Sequence, residues 1–189
     1  MKVMHLKTNP FKTFLIILGI PIIMVLAACV SQSTALQAMP NGLPSMDLTS
    51  AVYEVPVNDG VSYQDVLDSL KSVSEGMNFV NPANFPIAES MKKRGVDPQG
   101  VKEVHALCNL SMGTEIMLDH PEFLVFAPCR IALYEKPDAN KKLKLFLALD
   151  RPTFDLKSIK NPTERAKKSA QELENALIQL MDKAHKGEF

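Results

Sequence analysis

Three cysteines bound the chemistry open to this 189-residue chain. Cys29 ends an apolar N-terminal run, which leaves Cys108 and Cys129 as the thiols of any folded domain. In an exported compartment paired thiols tend to oxidise, and a disulfide needs Cα atoms within about 7 Å. Closing the roughly 20 residues between them would contribute about 3 kcal/mol in the chain-entropy picture. Val125, Ala127, Cys129, Ile131 and Leu133 share one face of a candidate strand, and Cys108 falls in phase with Val104 and Ala106. Both thiols are therefore expected to face the core. Antiparallel neighbouring strands would bring them together, and parallel strands would separate them. Three uses stay open: inert buried thiols, a structural disulfide, or redox, metal or nucleophilic work.

A metal site would recruit His105, His120 and either Met112 or Met117 beside the cysteines. His105 and Cys108 are three positions apart, which on a strand places them on opposite faces, and His120-Pro121 reads as loop. No Cys-x-x-Cys or His-x-x-x-His spacing occurs, so no metal and no cofactor is expected. Arg130 could lower a thiol pKa only from the side of Cys129, and strand alternation sets it opposite. Paired carboxylates and phosphate-cradling glycine loops are absent as well. No residue is assigned a catalytic role, and a non-enzymatic protein is favoured.

The elements that position these residues follow from periodicity. Ala51–Val57 is a short strand, demoted toward an edge by Pro56. Ser62 caps a helix carrying Val66, Leu70, Val73 and Met77 at three and four spacing, with Gly76 near its stop. A second strand is expected over residues 78–81. A short helix over 86–94 should turn Ile87 and Met91 inward and stop at Gly95. Residues 101–109 read as a third strand, 111–118 as a brief helix and 124–136 as a long strand. A turn at Pro137-Asp-Ala-Asn140 then pairs that strand with 141–150 as a hairpin. The last helix opens on Asn161-Pro162-Thr163-Glu164 as N-cap, first-turn proline and acidic N3. Ala166, Ala170, Leu173, Leu177, Leu180 and Ala184 form its stripe, and Lys183, His185 and Lys186 complement its C-terminal dipole. Together these imply an α+β fold of two layers, a mainly antiparallel sheet with helices on one face. The other face must be wet or paired, and Arg130, Tyr134, Lys142 and Lys144 make it partly polar.

At the N-terminus, Lys2, Lys7 and Lys12 precede an uncharged run from Phe14 to Leu26, followed by Ala27-Ala28-Cys29. A basic stretch, an apolar stretch and small residues at the end describe an export signal. An uncleaved transmembrane anchor competes with it, because Thr13 to Val30 is close to the ~18 residues of a span, although Gly19 and Pro21 weaken it. Ordinary cleavage after Ala27 leaves the cysteine unexplained. Leu26-Ala27-Ala28-Cys29 resembles the lipobox of bacterial lipoproteins, in which the cysteine is acylated through sulfur before cleavage and on its amino group afterwards. The expected organisation is a signal peptide (1–28), acylated Cys29 with a flexible tether (29–50), and one α+β domain (51–189). Residues 30–50 hold one charge, two prolines and a glycine, and a flexible chain of that length spans about 25 Å root-mean-square. The protein is then held on a membrane in the cell envelope, facing the periplasm. Val30 and Ser31 lack the aspartate associated with inner-membrane retention, which favours the outer membrane in a Gram-negative cell. Loss of residues 1–29 removes three of the 21 basic side chains and none of the 21 acidic ones, for a net charge near −3. That balance excludes nucleic acid as a partner.

Val104-His-Ala-Leu-Cys108-Asn109, followed by Pro121–Glu135 with Pro128-Cys129-Arg130 at its centre, resembles the bacterial and archaeal family known as domain of unknown function 302. The resemblance runs from about Tyr53 to Met181, with Leu110 standing where many members place proline after Cys-Asn. It implies a compact α+β domain with a mainly antiparallel sheet, similar to the TATA-binding-protein arrangement and often a homodimer, and it implies no established reaction. The family's cysteine and Pro-Cys-Arg positions fall on Cys108, Pro128, Cys129 and Arg130, which form the candidate thiol or ligand site. Two functions compete. One is an envelope lipoprotein whose domain binds a small ligand or a partner, by pairing through the open sheet face. The other is a thiol-redox or metal-handling protein using Cys108 and Cys129.

Overall fold

The structure, a computed structural model, describes residues 35–189. They belong to one compact unit, Thr34–Phe189. The segment read as an export signal, Cys29 and residues 30–34 lie outside the described residues. Along the chain run β1 (Leu36–Gln37), β2 (Met46–Asp47), β3 (Val52–Pro56), α1 (Tyr63–Gly76), β4 (Val80–Phe85), α2 (Ile87–Lys93), β5 (Lys102–Cys108) and α3 (Leu110–Met117). Then follow β6 (Cys129–Pro137), β7 (Leu143–Asp150), α4 (Pro152–Asp155) and α5 (Glu164–Ala184). Five strands form one sheet in the order β3-β7-β6-β5-β4, and every neighbouring pair is antiparallel. The fold is α+β, as expected.

Register fixes which side chains share a face. Tyr53 and Ile131 stand opposite Leu149, and Val55 and Leu133 opposite Leu147. All six side chains are buried, so this is the face that the helices cover. The intervening positions, Val104, Ala132, Ala148 and Glu54, point the other way and define an open face. The stripe of α5 closes the core: Ala166, Ala170, Leu173, Leu177, Leu180 and Ala184 are all buried in one cluster with the strand residues. Each buried leucine contributes about 1.5–3 kcal/mol relative to exposure. Helix α1 begins at a reciprocal capping box, in which Ser62 Oγ accepts from Asp65 N at 3.1 Å and Asp65 Oδ2 accepts from Ser62 N at 2.8 Å.

Four local expectations are corrected. The cap of α5 is Thr163, whose Oγ1 accepts from Ala166 N at 3.1 Å, because Asn161 sits in a left-handed turn at φ 52°. The second strand begins two residues later than expected, since Asn78, at φ 64°, still belongs to the turn after α1. Helix α2 buries none of its residues, and Ile87 is exposed beside the open face. Residues 121–126 form a 3₁₀ turn headed by Pro121, and Val125 is 76% exposed, so the long strand starts only at Cys129.

Residues 36–50, read as tether, are held against the domain. Leu43 and Met46 are buried in the core, and the Tyr53 hydroxyl donates to Pro44 O at 2.7 Å. Arg151 Nη1 donates to Asp47 O at 3.0 Å and to Ser50 O at 2.8 Å. An arginine satisfying backbone carbonyls leaves no pattern in the side chains it holds, so the low charge of this segment was a misleading cue.

Candidate functional site

Cys108 ends β5 and Cys129 opens β6, and these strands are antiparallel neighbours with Leu107 directly opposite Cys129. The two cysteines therefore sit at the same end of the sheet, both as free thiols. Cys129 lies on the core face as expected, and Cys108 does not. Opposed residues share a face, so Cys129 goes with buried Leu107 and Ile131, while Cys108 alternates with Ala106 and Val104, opposite Arg130 and Ala132. The apolar Val104 and Ala106 suggest a core face that includes Cys108, but the helix-facing positions of β5 are Glu103, His105 and Leu107.

Cys108, Pro128 and Cys129 still border one small cavity, closed by Leu107, Met117, Phe123, Phe126 and Leu173 and edged by Asp150 and Asp155. Its volume is about 30 Å³, room for little more than one water molecule. Burial, and then the nearby Cys108, Asp150 and Asp155, push the Cys129 thiol up to about 12. Burial raises the Cys108 thiol too. Both are protonated at neutral pH, whereas a nucleophile or metal ligand must be a thiolate. Arg130 does nothing to change this: it lies on the open face and pairs with Asp150, Nε to Oδ2 at 2.9 Å.

Asp155, at the cavity edge, is pushed up to about 6 by burial and by the charge of Asp150, with Arg130 pulling the other way. A carboxyl whose pKa rises on folding supports the fold in its protonated form, and that support is lost as pH climbs from about 4 through 6. Asp155→Asn should therefore leave stability unchanged near pH 4 and raise it by about 1 kcal/mol at pH 7, a figure reduced for solvent screening of this half-exposed group. Urea unfolding at the two pH values reads this directly; equal effects at both would reject it.

The other candidate ligands are dispersed. His120 Nε2 accepts from Thr163 N at 3.1 Å, a structural bond at the start of α5. Met112 contributes its carbonyl to Ser169 Oγ at 2.7 Å. His105 pairs with Glu103 on the helix side of β5. Among the described residues, no three His, Cys, Asp or Glu side chains converge to hold an ion. The open face is more organised than its sequence suggested. Glu54 accepts from the Tyr134 hydroxyl and from Lys136 Nζ, the latter at 2.5 Å. Tyr134 stacks on Phe146 with centroids 6.2 Å apart, and Lys136 lies 4.4 Å over the same ring. Toward β4, Phe85, Ile87, Val104, Ala106 and Pro128 line an apolar groove bordered by Arg130. Glu54 and Phe146 were missed because nothing but register connects them to Tyr134.

The sequence profile described as "Domain of unknown function DUF302" matches residues 53–184. The chain belongs to the DUF302 family. An uncharacterised protein of Aquifex aeolicus (strain VF5) is 33% identical over 82 residues, 43% of this chain and 51% of the relative. The match thus spans about half the length of that relative. The crystal structure of an uncharacterised conserved DUF302 protein from Bacillus stearothermophilus superposes with a TM-score of 0.60. It covers 70% of this chain and 96% of the other at 18% identity, a likeness of fold alone. Within this DUF302 domain, none of the described helices is long and apolar enough to cross a membrane.

Proposed function

We propose that this protein is a lipid-anchored envelope lipoprotein whose DUF302 domain works by binding rather than catalysis, and that its binding surface is the open sheet face, occupied by a second copy of the chain. The observation that carries the reading is the composition of that face. Small and apolar side chains form its middle, with Val104, Ala132 and Ala148 in one row, and Phe85, Ile87 and Val52 are exposed around them. Charges of both signs stand toward its two ends, Arg130 with Asp150 at one and Lys136 with Lys144 at the other, where the Glu54 carboxylate reaches Lys136 from the middle row. A two-fold apposition that sets one end against the other brings Arg130 toward the partner's Glu54, and Asp150 toward the partner's Lys136 and Lys144. Self-complementarity of this kind is what an isologous dimer requires.

Five strands about 4.8 Å apart and roughly 20 Å long present near 500 Å², below the ~800 Å² per partner of a standard interface. The dimer should therefore be weak, dissociating in the micromolar range. The support for anchoring is the basic, apolar and Ala-Ala-Cys sequence of residues 1–29.

Sedimentation velocity on residues 34–189 over roughly 1–100 µM should show the mass rising from one chain toward two. Ala132→Arg, on the open side and away from the core, should stay at one chain while melting like the parent. A parent that remains a monomer throughout, or an Ala132→Arg variant that dimerises equally well, would end this reading.

A further inference from the structure

The helix-facing side of β5 carries a hydrogen-bonded polar pair that neither the core nor the cysteine cavity uses. His105 stands opposite Ile131 and is only 5% exposed. Glu103, two residues earlier and on the same side, places Oε1 2.7 Å from His105 Nε2. Its second oxygen, Oε2, accepts from the Tyr63 hydroxyl at 2.8 Å. Tyr63 is the first residue of α1, so the pair is fixed from both layers. Burial and Glu103 push the Tyr63 phenol up to about 12, which keeps it a donor to the carboxylate. Both oxygens of Glu103 act as acceptors, so in a neutral imidazole the Nε2 hydrogen belongs to the bond with Oε1 and Nδ1 is the ring's acceptor. Among the described residues Nδ1 has no hydrogen-bond partner.

What lies over that ring is a groove of about 630 Å³ between α1 and the edge strand β4. Asp68, Lys71 and Glu75 line it from α1, and Asn84, directly across the ladder from His105, lines it from β4. Leu67 and Phe79 supply apolar wall. The register of β4 shifts between Val80 and Ala83, a bulge of the kind that re-aims side chains beside a site. A concave surface with a few convergent polar groups and apolar walls has the usual form of a small-molecule site.

We propose that this groove binds a small organic amine, its ammonium group donating to His105 Nδ1 and its carbon chain lying along Leu67 and Phe79. The floor offers an acceptor, so the ligand must bring a donor. Asp68, Glu75 and Glu103 outnumber Lys71, so that donor carries positive charge. The groove exceeds what a bare ammonium ion would fill, so a chain of several carbons accompanies it. This site lies on the opposite layer from the open face, and its success or failure leaves the dimer reading untouched.

The test uses the full-length chain in detergent with ¹⁵N-labelled imidazole rings. The sequence holds four histidines, and the His105 signals are assigned by their loss in His105→Gln. Two-bond ¹H–¹⁵N spectra of the free protein should show the Nε2-protonated tautomer at His105. Millimolar 1,4-diaminobutane should move the Nδ1 resonance to saturation, and 1,4-butanediol at equal concentration should not. Glu75→Gln, an exposed substitution, should weaken the diamine by about two- to five-fold. An Nδ1 resonance unmoved by the diamine, or moved equally by the diol, overturns the proposal, as does a free protein whose lone pair resides on Nε2.

Discussion

Replacing Arg151 with alanine should lower the unfolding free energy of the domain by about 3–5 kcal/mol, the usual cost of breaking a buried ion pair from one side. Arg151 and Glu174 are 3% and 2% exposed, and their contact is 3.0 Å from Nη2 to Oε1, with Nε donating to the same oxygen at 3.1 Å. Every remaining polar atom of the pair is also used. Glu174 Oε2 accepts from Thr153 N at 3.0 Å and from the Thr153 hydroxyl, and Arg151 Nη1 holds the carbonyls of Asp47 and Ser50. Truncation strands a carboxylate in the interior and two carbonyls at its edge. Domains of this size have roughly 5–15 kcal/mol in total, so the loss should lower the melting temperature by about 10 °C. The double variant Arg151→Met with Glu174→Leu removes both charges together and should recover most of the loss. Hydrogen exchange should report opening around Leu43 and Met46 in the single variant first, since those residues lie on the segment Arg151 pins. A melting temperature within a degree or two of the parent would show that the pair contributes little.

The same residues mark where sequence reasoning succeeded and where it stopped. The capping box of Ser62 with Asp65 located α1, and the stripe from Ala166 to Ala184 located α5, because both are local patterns produced by one element meeting one core. The Pro137–Asn140 turn gave the β6–β7 hairpin for the same reason. Contacts that depend on register or on backbone carbonyls left no such trace. Residues 36–50 look like linker until Arg151, a hundred residues away, is seen to bind two of their carbonyls. Residues 124–129 alternate as a strand would, yet Pro121 starts a 3₁₀ turn and Pro128 brings no N–H to a ladder, so pairing begins at Cys129. The apolar alternation of β5 implies that its polar positions point outward. Glu103 and His105 instead point toward the helix layer, because they satisfy one another and Tyr63 there. That inversion was the available signal for a second site: polar residues at core phase, in a strand whose apolar residues face out, require a local partner.

Under the proposed anchoring, intact mass spectrometry of the native chain should show residues 1–28 absent and fatty acyl groups on Cys29, and Cys29→Ser should retain residues 1–28 with no added lipid. The expected effect is the largest available for this protein because it is all or none. Each buried CH₂ contributes about 0.8 kcal/mol, so a single chain binds a bilayer only marginally while two or three hold it for the lifetime of the cell. A version beginning at Val30 behind an ordinary cleavable export signal should move from the detergent phase to the aqueous phase on Triton X-114 partition. The competing readings of the same segment give different masses. A transmembrane anchor keeps residues 1–28 in the parent, carries no acyl group and is indifferent to Cys29→Ser. Cleavage after Ala27 yields a parent that starts at Ala28, without lipid and already aqueous. The consequence for the domain follows from its fold. Residues 36–50 are packed on it, through Leu43, Met46 and the bonds from Arg151 and Tyr53, so only residues 30–35 separate the acylated cysteine from the first strand pair. Fully extended, six residues span at most about 20 Å. Under that anchoring, confinement of copies to two dimensions raises their local concentration and adds to the micromolar self-association expected of the DUF302 domain in solution.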